Sequence, residues 1–270
     1  MNADNKYIRF DWAVKRMLRD KANFGVLEGL LTVLLNESVH IVELLESEGN
    51  QQTYDDKFNR VDIKAKNDLG EIFIVEVQLT RELYYLERIL YGTAKAITEH
   101  IKLGNSYSEI KKVYSISIVY FDLGQGSDYL YHGYRDGLSY YVVMLNRFND
   151  VASTPLEEWV DYLKNGHIKE DTTAPGLSEA REKLQYMMLN QADRHAYDEH
   201  LNAIMIQNDV LSTARLEGLA EGRAEGRAEG RAEGELNKAL QIARQLKSMG
   251  LSNQQIAQGT GLSIAEISKL

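Results

Sequence analysis

The strongest constraint on this chain comes from two short runs and the break between them. Residues 60–66 and 71–79 flank Asp68-Leu69-Gly70, and the second run is dense in Ile, Val and Phe, a β-hairpin signal. A three-residue loop needs one residue at positive φ, which Gly70 supplies without a side-chain clash. Asn67 then pairs with Glu71. Counting back along both strands from that pair sets Asp62 opposite Glu76 on one face of the sheet, with Cβ atoms about 4.5–5.5 Å apart. A two-residue loop would break this register.

Within Ile72-Phe73-Ile74-Val75-Glu76-Val77-Gln78-Leu79, alternation puts Glu76 and Gln78 on the face shared by Ile72 and Ile74. Two like charges ~5 Å apart at an effective dielectric of ~20 repel by roughly 3 kcal/mol, before desolvation is counted. A hard divalent cation with oxygen ligands resolves that arrangement. The alternative is a solvated polar face on which Arg60, Lys64 and Lys66 neutralise Asp62. Spacing alone does not separate the two.

Around the hairpin, residues 11–17 and 24–45 read as amphipathic helices, and a polar break at 48–52 follows. A helix is predicted from residue 80 to about 103, a β-branched strand over 113–121 and another strand over 139–145. This gives an α/β, restriction-endonuclease-like mixed sheet flanked by helices, with an all-helical C-terminal extension. Boundaries fall at 1–165 for the first domain, 176–216 for a helical connector, 217–235 for a four-residue repeat and 236–270 for a small helical hairpin. With 270 residues and 44% hydrophobic content, the chain can bury a full core and still carry such an appendage.

The absence of cysteine excludes disulfides and thiolate metal sites. The first six residues lack the basic flank and apolar stretch of a signal peptide, and the longest apolar region, 24–35, is too short for a bilayer span and carries Glu28. The expectation is a cytoplasmic protein with no membrane association. A formal charge of -9 argues against a broad electrostatic grip on nucleic acid, yet it is compatible with a local basic groove, so charge leaves the partner open. The six His include no metal-type pair at i, i+4, since His195 and His200 are five apart, and neither a phosphate-binding Gly loop nor a Gly-x-Ser-x-Gly elbow occurs.

Asp62, thirteen residues, then Glu76-Val77-Gln78 and a helix rich in Arg and Tyr together resemble the PD-(D/E)XK nuclease core. More narrowly, the chain resembles the recombination-promoting nuclease and putative transposase family. The segments that carry the likeness are Asp11-Trp12-Ala13-Val14-Lys15, Ile74-Val75-Glu76-Val77-Gln78, Arg88-Ile89-Leu90-Tyr91, Gly104-Asn105-Ser106-Tyr107 and Ile116-Ser117-Ile118-Val119-Tyr120-Phe121. It covers residues 5 to 165 and extends loosely into the tail. The resemblance implies a Mg²⁺-dependent (or Mn²⁺-dependent) DNA endonuclease tied to recombination, mobile DNA or defence against foreign DNA. A catalytically inert DNA-binding or assembly module on the same fold, regulated through its tail, is the alternative.

Two positions depart from the superfamily pattern. Val61 stands where proline is usual, and Gln78 replaces the terminal lysine, as is usual in this branch. On this reading Asp62 and Glu76 ligate the metal, and Gln78 orients the attacking water without being able to take its proton. Deprotonation then rests on the metal, which lowers the pKa of bound water, with the substrate phosphate as acceptor. Lys64 is a candidate for the missing positive charge, and Glu43, placed on the second helix, for an upstream acid. Arg81, Tyr84, Arg88 and Tyr91 recur at helical spacing and could meet phosphates, or could be ordinary helix packing with exposed guanidinium tips.

In the tail, glycine recurs every four residues from Gly218 to Gly234, each costing a helix about 0.8–1 kcal/mol relative to alanine. Glu aligns with Glu and Arg with Arg at i+4, so a lone helix cannot pair its own charges. A homodimer or higher homo-oligomer through residues 217–235 would satisfy them; a flexible linker is the other reading. Ala257, Gly261 and Ile267 hold the small, turn and apolar positions of a helix-turn-helix, but residues 263–270 offer only Lys269 as a cation. Docking on protein suits that hairpin better than reading DNA.

Overall fold

The computed structural model describes residues 7–46, 61–100, 106–124, 126–135 and 137–270. The polar break at 48–52, Arg60, Gly104-Asn105 and the expected helix end near 103 lie outside the described residues. The chain forms two compact units, Met1–Asp198 and Glu199–Leu270.

The first unit is built on a six-stranded mixed sheet, β1 (Ile41–Leu44), β2 (Ile63–Asn67), β3 (Ile72–Gln78), β4 (Val113–Val119), β5 (Leu130–Arg135) and β6 (Leu138–Met144), in the order β1-β2-β3-β4-β6-β5. β3, β4 and β6 run parallel, while β1, β2 and β5 pair antiparallel at the two sides. Every residue of β4 is buried, as a parallel strand covered on both faces requires. Helices α1 (Phe10–Arg16), α2 (Phe24–Leu35), α3 (Tyr85–Glu99), α4 (Pro155–Asn165) and α5 (Leu177–Lys183) flank the sheet.

α1 and α4 share an aromatic core. Phe10 meets Trp159 and Tyr162 edge-on, with centroids 6.1 and 6.3 Å away, and Trp12 meets Tyr197 at 5.4 Å. Fully burying side chains of this size contributes roughly 1.5–3 kcal/mol each. Backbone ties reinforce the packing: Ile8 N–H donates to Leu184 O, Tyr162 Oη–H to Ile8 O, and Arg9 N–H to the Tyr197 hydroxyl. A Cβ on Gly29 would stand 2.3 Å from Gly176 Cα, so glycine is what lets α2 meet the loop before α5 this closely. Thr154 and Glu157 form a capping box at the start of α4, and Pro155 fits its first turn.

Three sequence expectations are corrected here. The helix predicted over 24–45 stops at Leu35, where Asn36 adopts a left-handed φ of 55° and residues 41–44 become strand β1. Glu28 fixes the new direction by accepting from Ile41 N–H at 2.7 Å. The helix predicted from residue 80 begins at Tyr85, leaving residues 79–84 irregular. β5 was not expected; among the described residues it is an edge strand, paired with β6.

The second unit contains most of α6 (Gln191–Ser248), followed by α7 (Asn253–Thr260) and α8 (Ile264–Ser268). Every residue from 205 to 238 is exposed, and the five repeat glycines face open space. Residues 236–270, expected as a small helical hairpin, begin instead as a continuation of α6 as far as Ser248. The last turns of α6 meet α7 and α8 through Ala243, Ile256, Leu262 and Ile267, with Gly261 at φ 73° turning the chain between them. Among the described residues, no helix is long and apolar enough to cross a membrane.

Candidate active site

The hairpin loop fixes the site's geometry. Asn67 N–H donates to Glu71 O, Gly70 N–H donates to Asn67 O, and Gly70 has φ 78°, so the loop has three residues with glycine at the left-handed position. The ladder runs Ile63↔Val75, Lys64↔Ile74, Ala65↔Phe73 and Lys66↔Ile72. Continued by one residue, it sets Asp62 across from Glu76. There β2 has not yet begun, and the Asp62 carboxylate turns in to accept from Val77 N–H at 2.7 Å.

These two acids line a cavity of about 480 Å³ together with Lys15, Arg16, Arg19, Val61, Val77, Gln78 and Arg88. Glu76 is only 8% exposed. Its carboxyl is pushed up to about 7, first by burial; nearby Asp62 and Glu82 add to the rise and Arg88 opposes it. Arg88 reaches Glu76 Oε2 at 3.4 Å, Gln78 Oε1 at 3.3 Å and Glu82 Oε1 at 3.2 Å, with its guanidinium 5.3 Å from the centre of the Tyr85 ring. Gln78 in turn donates from Nε2 to Thr80 O and Glu82 Oε1, which fixes which end of its amide faces Arg88. From α1, Lys15 Nζ stands 3.7 Å from Asp62 Oδ1, and Arg19 donates to Asp62 O at 2.9 Å.

The fold thus brings Asp62, Glu76, Gln78 and Arg88 together. Other expected residues lie elsewhere. Lys64 is buried and bonded to Glu99 on α3, outside the cavity lining. Glu43 lies on β1 rather than on a helix, exposed and ion-paired to Lys66 near the hairpin's turn. Arg81 and Tyr84 precede α3, so the four-residue helical face of Arg81, Tyr84, Arg88 and Tyr91 does not form. Tyr84 is 67% exposed, and Arg81 approaches the loop at Gly124. Tyr91 does lie on α3, partly exposed.

Sequence reasoning missed the cations of α1. Strand periodicity carries no information about them; the only signal was the position of residues 11–15 in the family pattern. Among the described residues, no group of three or more His, Cys, Asp or Glu side chains gathers as a metal cluster. The cavity offers two carboxylates, hard oxygen donors of the kind Mg²⁺ takes when water completes its shell. A cavity of about 460 Å³ at the end of α2 and the start of α4 has Glu37 as its one acid, and that group accepts from the Tyr114 hydroxyl.

A family model described as PD-(D/E)XK nuclease family transposase matches residues 8–214. No curated protein and no solved structure matches the chain.

Proposed function

Because the chain belongs to the PD-(D/E)XK nuclease family transposases, we propose that it is a Mg²⁺-dependent DNA endonuclease acting in recombination, mobile DNA or defence against foreign DNA. One observation carries the reading: two carboxylates, one of them buried at a clear electrostatic cost, meet across adjacent strands in a cavity that four cations also line. Asp62 and Glu76 would hold the ion, or Mn²⁺ in its place. When bound, it supplies Lewis-acid stabilisation of the phosphate and of hydroxide formation near neutral pH.

The remaining work falls to the chain's own side chains. Val77 N–H holds one oxygen of Asp62 and leaves the other facing the cavity. Gln78, clamped between Glu82 and Arg88, presents its carbonyl oxygen as an acceptor that orients a water for in-line attack. In the reaction the water oxygen bonds to phosphorus and one ester P–O bond breaks. The leaving oxygen gains a proton from solvent, and the attacking water loses one to a phosphate oxygen or to bulk.

A second reading, an inert DNA-binding or assembly module, draws on the ion pairs that already neutralise Glu76 and Asp62. Supercoiled plasmid incubated with purified protein and Mg²⁺ separates the two. Nicking that is lost in both Asp62→Ala and Glu76→Ala supports the nuclease. Nicking unchanged in both mutants, or no nicking by the native protein, overturns it.

We also propose that residues 217–235 self-associate as a homodimer or higher homo-oligomer. Support comes from the exposed repeat, its unpaired charge rows and the glycines that would let a second helix approach closely. Residues 1–165 would then carry the chemistry, 176–216 connect it to the repeat, and 236–270 dock on protein. Sedimentation equilibrium of the full chain tests the association; a monomer across the micromolar range rules it out.

A further inference from the structure

We propose that Lys15 on α1 is the catalytic cation of this site, contacting a non-bridging oxygen of the scissile phosphate. The inference rests on the nuclease reading and adds a residue that the strand motif does not contain.

The motif ends in Gln78, an uncharged group, so the cation must come from another element. Lys64 is withdrawn by its bond to Glu99 on α3. Arg88 spends its Nη1 and Nη2 groups as a clamp, shared among Glu76, Gln78 and Glu82, and its Nε is buried. Lys15 differs from both. Its Nζ is 3.7 Å from Asp62 Oδ1, beyond hydrogen-bonding range, and its side chain is 51% exposed at the cavity. It is held near the acid by charge, and among the described residues no hydrogen bond takes up its N–H donors, which leaves them to meet an incoming oxygen.

The backbone that carries Lys15 is packed into the core. Phe10, Asp11, Trp12, Ala13 and Val14 are all buried, and the segment before them is tied to Leu184, Tyr162 and Tyr197. A cation on so firmly seated a helix is pre-positioned, and little reorganisation is needed when charge builds on the phosphate. The local charge balance agrees. Among the described residues four cations, Lys15, Arg16, Arg19 and Arg88, line the cavity with two acids, and one further acid, Glu82, pairs with Arg88 beside it, in a chain whose formal charge is -9. Such a local excess selects a polyanion.

During hydrolysis, water oxygen bonds to phosphorus and the ester bond opens. Lys15 keeps its protons and neutralises charge on the non-bridging oxygen. Arg16 and Arg19 lie on the same side, but Arg19 is engaged with the Asp62 backbone and Arg16 lies 5.8 Å from the Trp12 ring centre.

The test compares native protein, Lys15→Ala, Lys15→Arg and Asp62→Ala in two measurements. The first is single-turnover plasmid cleavage at saturating DNA with Mg²⁺. The second is affinity for a labelled duplex in EDTA across a salt series. We expect Lys15→Ala to cleave about 100-fold more slowly, the scale of losing one transition-state donor. Its salt slope should shrink by about 0.9, the loss of one phosphate contact. Lys15→Arg should restore the slope and recover part of the rate, which a merely structural role would not produce. If Asp62→Ala is inactive but Lys15→Ala cuts within about threefold of native, or binds with an unchanged salt slope, the Lys15 assignment falls and the nuclease reading stands. If native protein does not cut, or Asp62→Ala cuts as well as native, both fall.

Discussion

Glu76 and Glu225 are both glutamates in regular secondary structure, yet one is 8% exposed beside Asp62 and the other stands in open solvent on α6. In the hairpin, packing on both faces of β3 imposes a cost on a carboxylate that strand propensity would never select. In the repeat, nothing weighs on the charges, and the cost lies in the backbone: five glycines at about 0.8–1 kcal/mol each, with no neighbouring atom near them. A burial penalty points inward to a ligand. A helix with no contacts to offset its glycines is the ground for the self-association proposed above.

Four variants probe that contrast, taken from the largest expected effect. Lys64→Met removes one half of a buried ion pair and leaves Glu99 charged; we expect a loss of about 3–5 kcal/mol in denaturant unfolding. Cleavage per folded molecule should nonetheless survive, and its disappearance would return Lys64 to the site. Glu76→Gln should act in the opposite direction. The folded carboxyl sits near 7 against 4.5 in the open chain, so the folded state holds its proton through that window and metal-free stability falls as pH rises from about 4.5 to about 7. At pH 8 without divalent ions the amide should therefore stabilise by up to about 3 kcal/mol, because losing the long contact to Arg88 subtracts from the gain. A lower Tm for Glu76→Gln at pH 8 would mean that burial is not the governing effect.

The triple variant Gly222→Ala, Gly226→Ala, Gly230→Ala meets open space at all three positions and should raise local helix stability by about 2–3 kcal/mol, read as amide-exchange protection. If the glycines serve close approach of a second helix, the same variant should associate less tightly in sedimentation; stronger association would exclude that role. The smallest effect belongs to Lys66→Ala, which removes the partner of exposed Glu43 on β1 and should change stability by less than about 1 kcal/mol.

The sequence made the hairpin legible because its register depends on local chemistry. One glycine at a position needing positive φ, and a period of two on either side, suffice to put Asp62 across from Glu76. β1 was illegible for the converse reason. Its four residues extend the apolar spacing of α2, and the break between them is a left-handed Asn36, with neither Gly nor Pro to announce it. The start of α3 was misplaced because Tyr84, an unusual N-cap residue, makes no side-chain cap bond. Lys15 was beyond any local pattern. Its neighbours in the cavity come from the residues just before β2, from β3 and from α3, and packing of Phe10 and Trp12 against α4 and Tyr197 brings it there.

That last arrangement has a consequence for the order in which the molecule becomes competent. Synthesis delivers both strand acids early, but the ties that seat α1 come from Tyr162, Leu184 and Tyr197, far later in the chain. A nascent chain emerging from the ribosome would therefore own its two carboxylates long before α1 could be seated beside them, so the cavity can be completed only after residues as late as Tyr197 have been made.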